Sequence, residues 1–139
     1  MGLSIPYPEN WMVSNDGSDK DTDSVFIESP NTAFLSVSLY DDSTGPLQAI
    51  ERAMEAMQSE YEDIEYEDIE VDLELLDIKA RELRFYFLDL VVVSRLIAFR
   101  VGQTTYLVQQ QAEDREFGEL EPVFFAMMFG MAKAMNETK

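Results

Sequence analysis

Residues 80–111 are the only long stretch in which β-branched and aromatic residues alternate with polar ones. Leu83, Phe85 and Phe87 alternate with Glu82, Arg84 and Tyr86, the two-residue period of a strand with one buried face. The pattern predicts three consecutive strands. One reversal falls at Leu88-Asp89-Leu90 and another at Gly102-Gln103, where glycine at the first central position suits a primed hairpin turn. The second turn sets Phe99 opposite Tyr106 and Ile97 opposite Val108, giving cross-strand pairs of large residues on one face. The other face carries Leu88, Val92, Leu96, Ala98 and Leu107, too apolar to be left in water. A sheet apolar on both faces requires a covering layer on each, so two helical layers are expected elsewhere.

The flanking patterns supply them. Residues 3–13, with two prolines around Tyr7, predict an extended approach, a turn at Pro8-Glu9-Asn10 and a first strand. Trp11 there reads as a core anchor, with ligand stacking as its alternative role. After a polar turn over 15–24, strands are expected at 25–28 and at 33–40, where Phe34, Ser36 and Ser38 alternate with Leu35, Val37 and Leu39. Pro46 suits a first helical position. From it Leu47, Ile50, Met54, Met57, Tyr61 and Ile64, widened by Ala53, mark one face of a helix of roughly 25 Å. Residues 60–77 contain YEDIE twice, and after Asp68 the apolar Ile69, Val71, Leu73 and Leu75 alternate with Glu70, Asp72 and Glu74, a strand with one acidic face. A charged connection over 112–118 leads to a second helix over 119–135, whose inward stripe is Leu120, Phe124, Met127, Met131 and Met135. Within it, 123–132 has no polar side chain, and Phe125 and Phe129 form a second stripe.

Composition narrows the chemistry. The 139 residues form one domain, 1–139, long enough to bury about 68–70% of the unfolded surface. There is no cysteine and no histidine, which removes thiol nucleophiles, thiolate metal sites, the commonest general base and every Ser-His or Cys-His pair. Lys plus Arg is 10 against 28 for Asp plus Glu, and a net charge of −18 repels nucleic acid and anionic lipid. The longest apolar run falls short of the roughly 20 residues that span a bilayer, so no membrane insertion is expected. The first residues show no secretory leader; a cytoplasmic location is expected if this N-terminus is native, and export if a leader was removed.

Four features carry candidate chemistry. Asp19, Asp21 and Asp23 have the spacing of the first ligands of a calcium loop, but Ser24 stands where the turn needs glycine and Pro30 where a bidentate glutamate belongs. A solvated acidic turn is the expectation, with no metal and no cofactor. Glu70, Asp72 and Glu74 either protect an exposed edge or dock a basic protein partner; as a catalytic pair they would lack the desolvation that raises an acid's pKa. Arg95 shares the face of Ile97 and Phe99. It lies at a rim, or a bulge turns it out, or it is a buried cation with a carboxylate partner, and only the last makes it a ligand anchor. Phe125 and Phe129 either join two copies as a homodimer through the C-terminal helix or are covered by the 14–24 segment or the chain start.

The order of these pieces resembles the Mog1/PsbP-like superfamily. The resembling residues are Tyr7-Pro8-Glu9-Asn10-Trp11, Val25-Phe26-Ile27-Glu28-Ser29-Pro30, the Gly102-Gln103 hairpin with Tyr106-Leu107-Val108, Phe117, and Pro122-Val123-Phe124 with the last helix. Asn10 stands where a Pro-x-Gly-Trp member has glycine, and asparagine also adopts the left-handed conformation. The resemblance implies an α+β fold, a three-layer α/β/α sandwich around a central antiparallel sheet. It further implies an accessory binding or assembly role, and it transfers no functional residue. The leading expectation is therefore a small acidic non-enzymatic domain acting through protein contacts. The alternative is a ligand-binding or carboxylate-based enzymatic domain with a pocket between helix layer and sheet near Arg95, Trp11 or Tyr86. Because self-repulsion is screened over about 8–10 Å, the melting temperature is expected to be higher in about 0.2 M NaCl than in dilute buffer, and a fall would contradict this.

Overall fold

The computed structural model describes residues 5–15, 23–71, 73 and 76–137. Its best-determined feature from sequence is the hairpin of β6 (Leu90–Val101) and β7 (Thr104–Glu113), which turns at Gly102 with φ 62°. Phe99 pairs with Tyr106 and Ile97 with Val108, as the alternation requires, and the first pair stacks with ring centroids 5.4 Å apart. β5 (Leu76–Phe87) precedes it through a two-residue turn in which Leu88 and Asp89 both take left-handed φ, 52° and 65°. Leu88 is therefore at a hairpin tip and 79% exposed, not on the buried face where alternation placed it. Strand periodicity stops carrying side information where the chain reverses.

Two meanders make one sheet. β1 (Met12–Asn15), β2 (Asp23–Glu28) and β3 (Phe34–Tyr40) run antiparallel, the chain crosses through α1 (Pro46–Glu60) to β4 (Glu65–Ile69), and β5, β6 and β7 return. The order is β1-β2-β3-β7-β6-β5-β4, closed by antiparallel pairing of β3 with β7. α2 (Asp114–Glu137) then crosses one face. On that side Val37, Ile97, Phe99 and Val108 meet Phe124, Met127 and Met131, with Trp11 edge-on to Phe124 at 6.0 Å. On the other side Ala49, Ile50 and Met54 of α1 meet Leu83, Leu96, Ala98 and Leu107. This is the three-layer α/β/α sandwich.

Three boundaries differ from the sequence reading, each for a local reason. α1 starts at Pro46 but ends at Glu60. Tyr61 donates its N–H to the Met57 carbonyl and stacks its ring on Phe85 at 4.3 Å, so Tyr61 and Ile64 lie beyond the helix although they fit its spacing. The acidic strand is β4 at Glu65–Ile69, ahead of the expected 69–75. Residues 65–69 show no apolar alternation, and it is the pairing of Glu65 with Arg84 through Ile69 with Ala80 that makes them the strand. Third, 112–118 is not a connection: β7 runs through Ala112 to Glu113 and α2 begins at Asp114. Phe117, buried against Phe124 at 5.4 Å, adds a turn to the inward stripe, and Asp114 with Glu116 places acids at the positive end of the helix.

β6 serves both cores, so damage to either layer should weaken the same strand. Phe99→Ala is expected to lower stability by about 3–5 kcal/mol and Leu96→Ala by about 2–5 kcal/mol. In urea each variant should keep one cooperative transition, and a biphasic curve for either would show that the layers unfold separately.

Candidate functional site

Arg95 has a partner. Its register is continuous on both neighbours, Glu82 and Gln110, so no bulge turns it out. The guanidinium donates to Glu82 Oε1 at 2.7 Å and lies 4.9 Å from the Phe117 ring centroid, a charge-assisted bond beneath an aromatic cover. The other Glu82 oxygen faces Arg84 at 3.7 Å, and Arg84 reaches Asp114 at 2.8 Å. That last hydrogen bond raises the Arg84 pKa above its ordinary value. Each oxygen of Glu82 is thus engaged by a guanidinium. Glu82, unnoticed in sequence, could have been found as the carboxylate one strand away on the Arg95 face.

The chain of pairs borders a shallow hollow of about 330 Å³ lined by Glu65, Tyr66, Glu67, Glu82 and Arg84. Neither Arg95 nor Trp11 lines it, and Tyr86 is 73% exposed. Along the β4 edge, Glu65 and Glu67 alternate with Tyr66 and Asp68, so acids occupy both faces, not one. Asp68 accepts from Arg81 at 2.8 Å, whose guanidinium lies 5.1 Å from the Tyr66 ring centroid. Glu70 follows the strand and is exposed, while Asp72 and Glu74 lie outside the described residues.

Of the calcium-loop residues, Asp19 and Asp21 lie outside the described residues, and Asp23 opens β2 opposite Leu39. Among the described residues no group of three or more carboxylates is placed to hold a metal ion. No described helix is long and apolar enough to cross a membrane.

A second exposed surface, apolar in character, lies on α2. Phe124, Met127, Met128 and Met131 are buried, whereas Phe125 and Phe129 are 60% and 55% exposed and stack on each other at 6.0 Å. Residues 5–8 run beside the helix, whereas residues 1–4 and 16–22, the rest of the expected cover, lie outside the described residues. Pro6 lies against Gly130, so close that a Cβ there would come within 2.4 Å of the proline ring. Between Pro6, Tyr7 and Pro8 on one wall and Pro122, Val123 and Ala126 on the other is a groove of about 380 Å³ without a charged lining residue. Pro122, Phe125, Ala126 and Phe129 follow three-and-four spacing, which joins groove and ring pair into one patch. Sequence pattern signalled the phenylalanines; the proline wall was legible only as an extended segment.

If Arg95 is structural, removing its partner should be felt in stability. Glu82→Gln is expected to cost about 1–3 kcal/mol in urea unfolding. Glu82→Leu with Arg95→Met should be no worse, because an apolar pair leaves no unpaired charge. An unchanged Glu82→Gln would instead mark Arg95 as held ready for something else.

No family model matches the chain, and no curated protein matches it by sequence. Among solved structures, it is similar to cyanobacterial PsbP (CyanoP) from Synechocystis sp. PCC 6803, with 15% identity over 91% of this chain and 83% of that one and a TM-score of 0.62. It also aligns with LpqN of Mycobacterium tuberculosis, involved in cell envelope biogenesis, with 11% identity over 90% and 79% of the two chains and a TM-score of 0.44. The α+β architecture, seven antiparallel strands between two helices, is that of PsbP, and at the level of fold it is Mog1/PsbP-like.

Proposed function

We propose that the chain is a small non-enzymatic assembly domain that acts through protein contacts made by the outer surface of α2, with a second copy as the first occupant. The observation that carries this is the Phe125–Phe129 pair, two large rings stacked on each other in solvent while the inward stripe of the same helix is already filled. Contiguous exposed aromatics with an adjoining apolar groove are what an interface core needs, and aromatic anchors dominate binding energy where they are desolvated. Two supports are weaker. The carboxylate hollow is open and its central Glu82 is tied to two arginines, which suits structure better than proton transfer. The known Mog1/PsbP-like families are accessory proteins, an analogy of fold alone. A second reading, docking of a basic protein partner, rests on the carboxylates that β4 carries on both faces of an open edge.

Sedimentation of the wild type and of Phe125→Ser/Phe129→Ser at about 0.15 M NaCl tests the first reading. The wild type is expected to exceed monomer mass as concentration rises. The double variant should be monomeric with a melting temperature close to wild type, since exposed substitutions usually change stability by only about 0.5 kcal/mol. A wild type that stays monomeric at the highest attainable concentration, with a double variant that melts far lower, would mean the rings serve the monomer.

A further inference from the structure

Resting on the α2 reading above, we propose that the element entering the α2 groove is the β5–β6 hairpin tip of a second copy, so that copies join head to tail with Leu88 as the knob. The tip is unusual in two independent ways. Leu88 and Asp89 both hold left-handed φ, a conformation that suits asparagine or glycine and disfavours leucine. Leu88 is also 79% exposed, beside exposed Tyr86, Phe87 and Leu90. A turn chosen for the monomer alone would replace Leu88 with asparagine. Strain together with exposure points outward, to a contact made by the tip.

The groove is the matching half. It is concave, about 380 Å³, and lined by uncharged residues from the chain start and α2. A chain of net charge −18 repels its own copies wherever charged surfaces approach, so contact is confined to places such as these two. The tip's one charge, Asp89, also has a counterpart in Lys133, exposed on the α2 stripe one turn beyond Phe129. A copy does not fill its own groove: Leu88 is exposed and is not among the residues that line it. The tip belongs to β5 and β6, the groove flanks the segment leading into β1, and three strands, roughly 19 Å of sheet, separate β6 from β1. The contact is therefore heterologous, and it closes into a ring or propagates as a chain.

Complementation of two defective copies tests this, by light scattering and sedimentation of the full chain at about 0.15 M NaCl. Leu88→Asn removes the knob and keeps the groove; Ala126→Glu charges the groove and keeps the knob. Each alone is expected to be monomeric, and an equimolar mixture should give the mass of a dimer and nothing larger. Tyr7→Asp, which alters the other wall without touching the helix, should replace Ala126→Glu with the same result. At a concentration low enough for the wild type to be monomeric, Leu88→Asn should also melt at or above the wild-type temperature; a lower melt there would show that Leu88 serves the monomer fold and would overturn the proposal. If Leu88→Asn still self-associates, or the mixture holds only the species of its components, the head-to-tail contact is wrong while assembly through α2 stands. A wild type that is monomeric throughout overturns both.

Discussion

β6 fixes the architecture because it has almost nothing to offer water. Val93, Ile97 and Phe99 on one side and Ser94, Leu96 and Ala98 on the other are all buried, and only Arg95 breaks the run between residues 92 and 99. A strand buried on both faces must lie inside a sheet and between two layers. The order meets this by sending α1 across one face before β4, so that the returning strands bring β7 against β3 and leave β6 inside. α2 then covers the second face directly from the end of β7. Two polar groups of β6 fit the same logic: Ser94 accepts from Gln109 at 2.9 Å, and the Arg95 charge is met by Glu82 one strand away.

The two layers are unequal, and the difference explains the composition of the sheet. α1 has 15 residues and meets β5, β6 and β7, whereas the core beneath α2 extends to Ile27 of β2 and Leu35 of β3. The α1-side face of β2 and β3 accordingly carries Phe26, Phe34, Ser36 and Ser38, all partly exposed, with the two rings 4.8 Å apart. Small hydroxyls tolerate partial wetting where leucines would not.

How much of this was legible follows from the range of each signal. The β6–β7 hairpin was readable because cross-strand partners lie within a few residues of the turn, and glycine at 102 meets a local backbone demand. Trp11 and the inward stripe of α2 were readable as large apolar residues at helical or turn-anchored positions. The misplaced elements are those whose local pattern misleads. Residues 69–75 alternate and 65–69 do not, so the pattern favoured the later stretch, and only pairing with β5 reveals the earlier one as the strand. The charged look of 112–118 concealed a helix because its first turn welcomes acids and only Phe117 reveals the buried side. The proline-walled groove was illegible for a different reason: it is a relation between segments distant in sequence.

Charge then decides how such a molecule can meet others. Among the described residues, four of the 10 basic side chains, Arg81, Arg84, Arg95 and Arg115, are each engaged by a carboxylate of the same chain, Asp68, Asp114, Glu82 and Glu113, and the remainder face 28 acids. Surface pairs of this kind contribute roughly 0–1 kcal/mol to stability, but they neutralise positive potential that would otherwise draw an acidic neighbour closer. Association between copies cannot then be led by ion pairs. It must come from apolar contact strong enough to act at short range, within the roughly 8 Å over which salt leaves repulsion unscreened. Uncharged exposed surface includes α2 and the β5–β6 tip, so the acidic surround acts as a filter on orientation, suppressing edge pairing at β4 and favouring contact at uncharged places such as these.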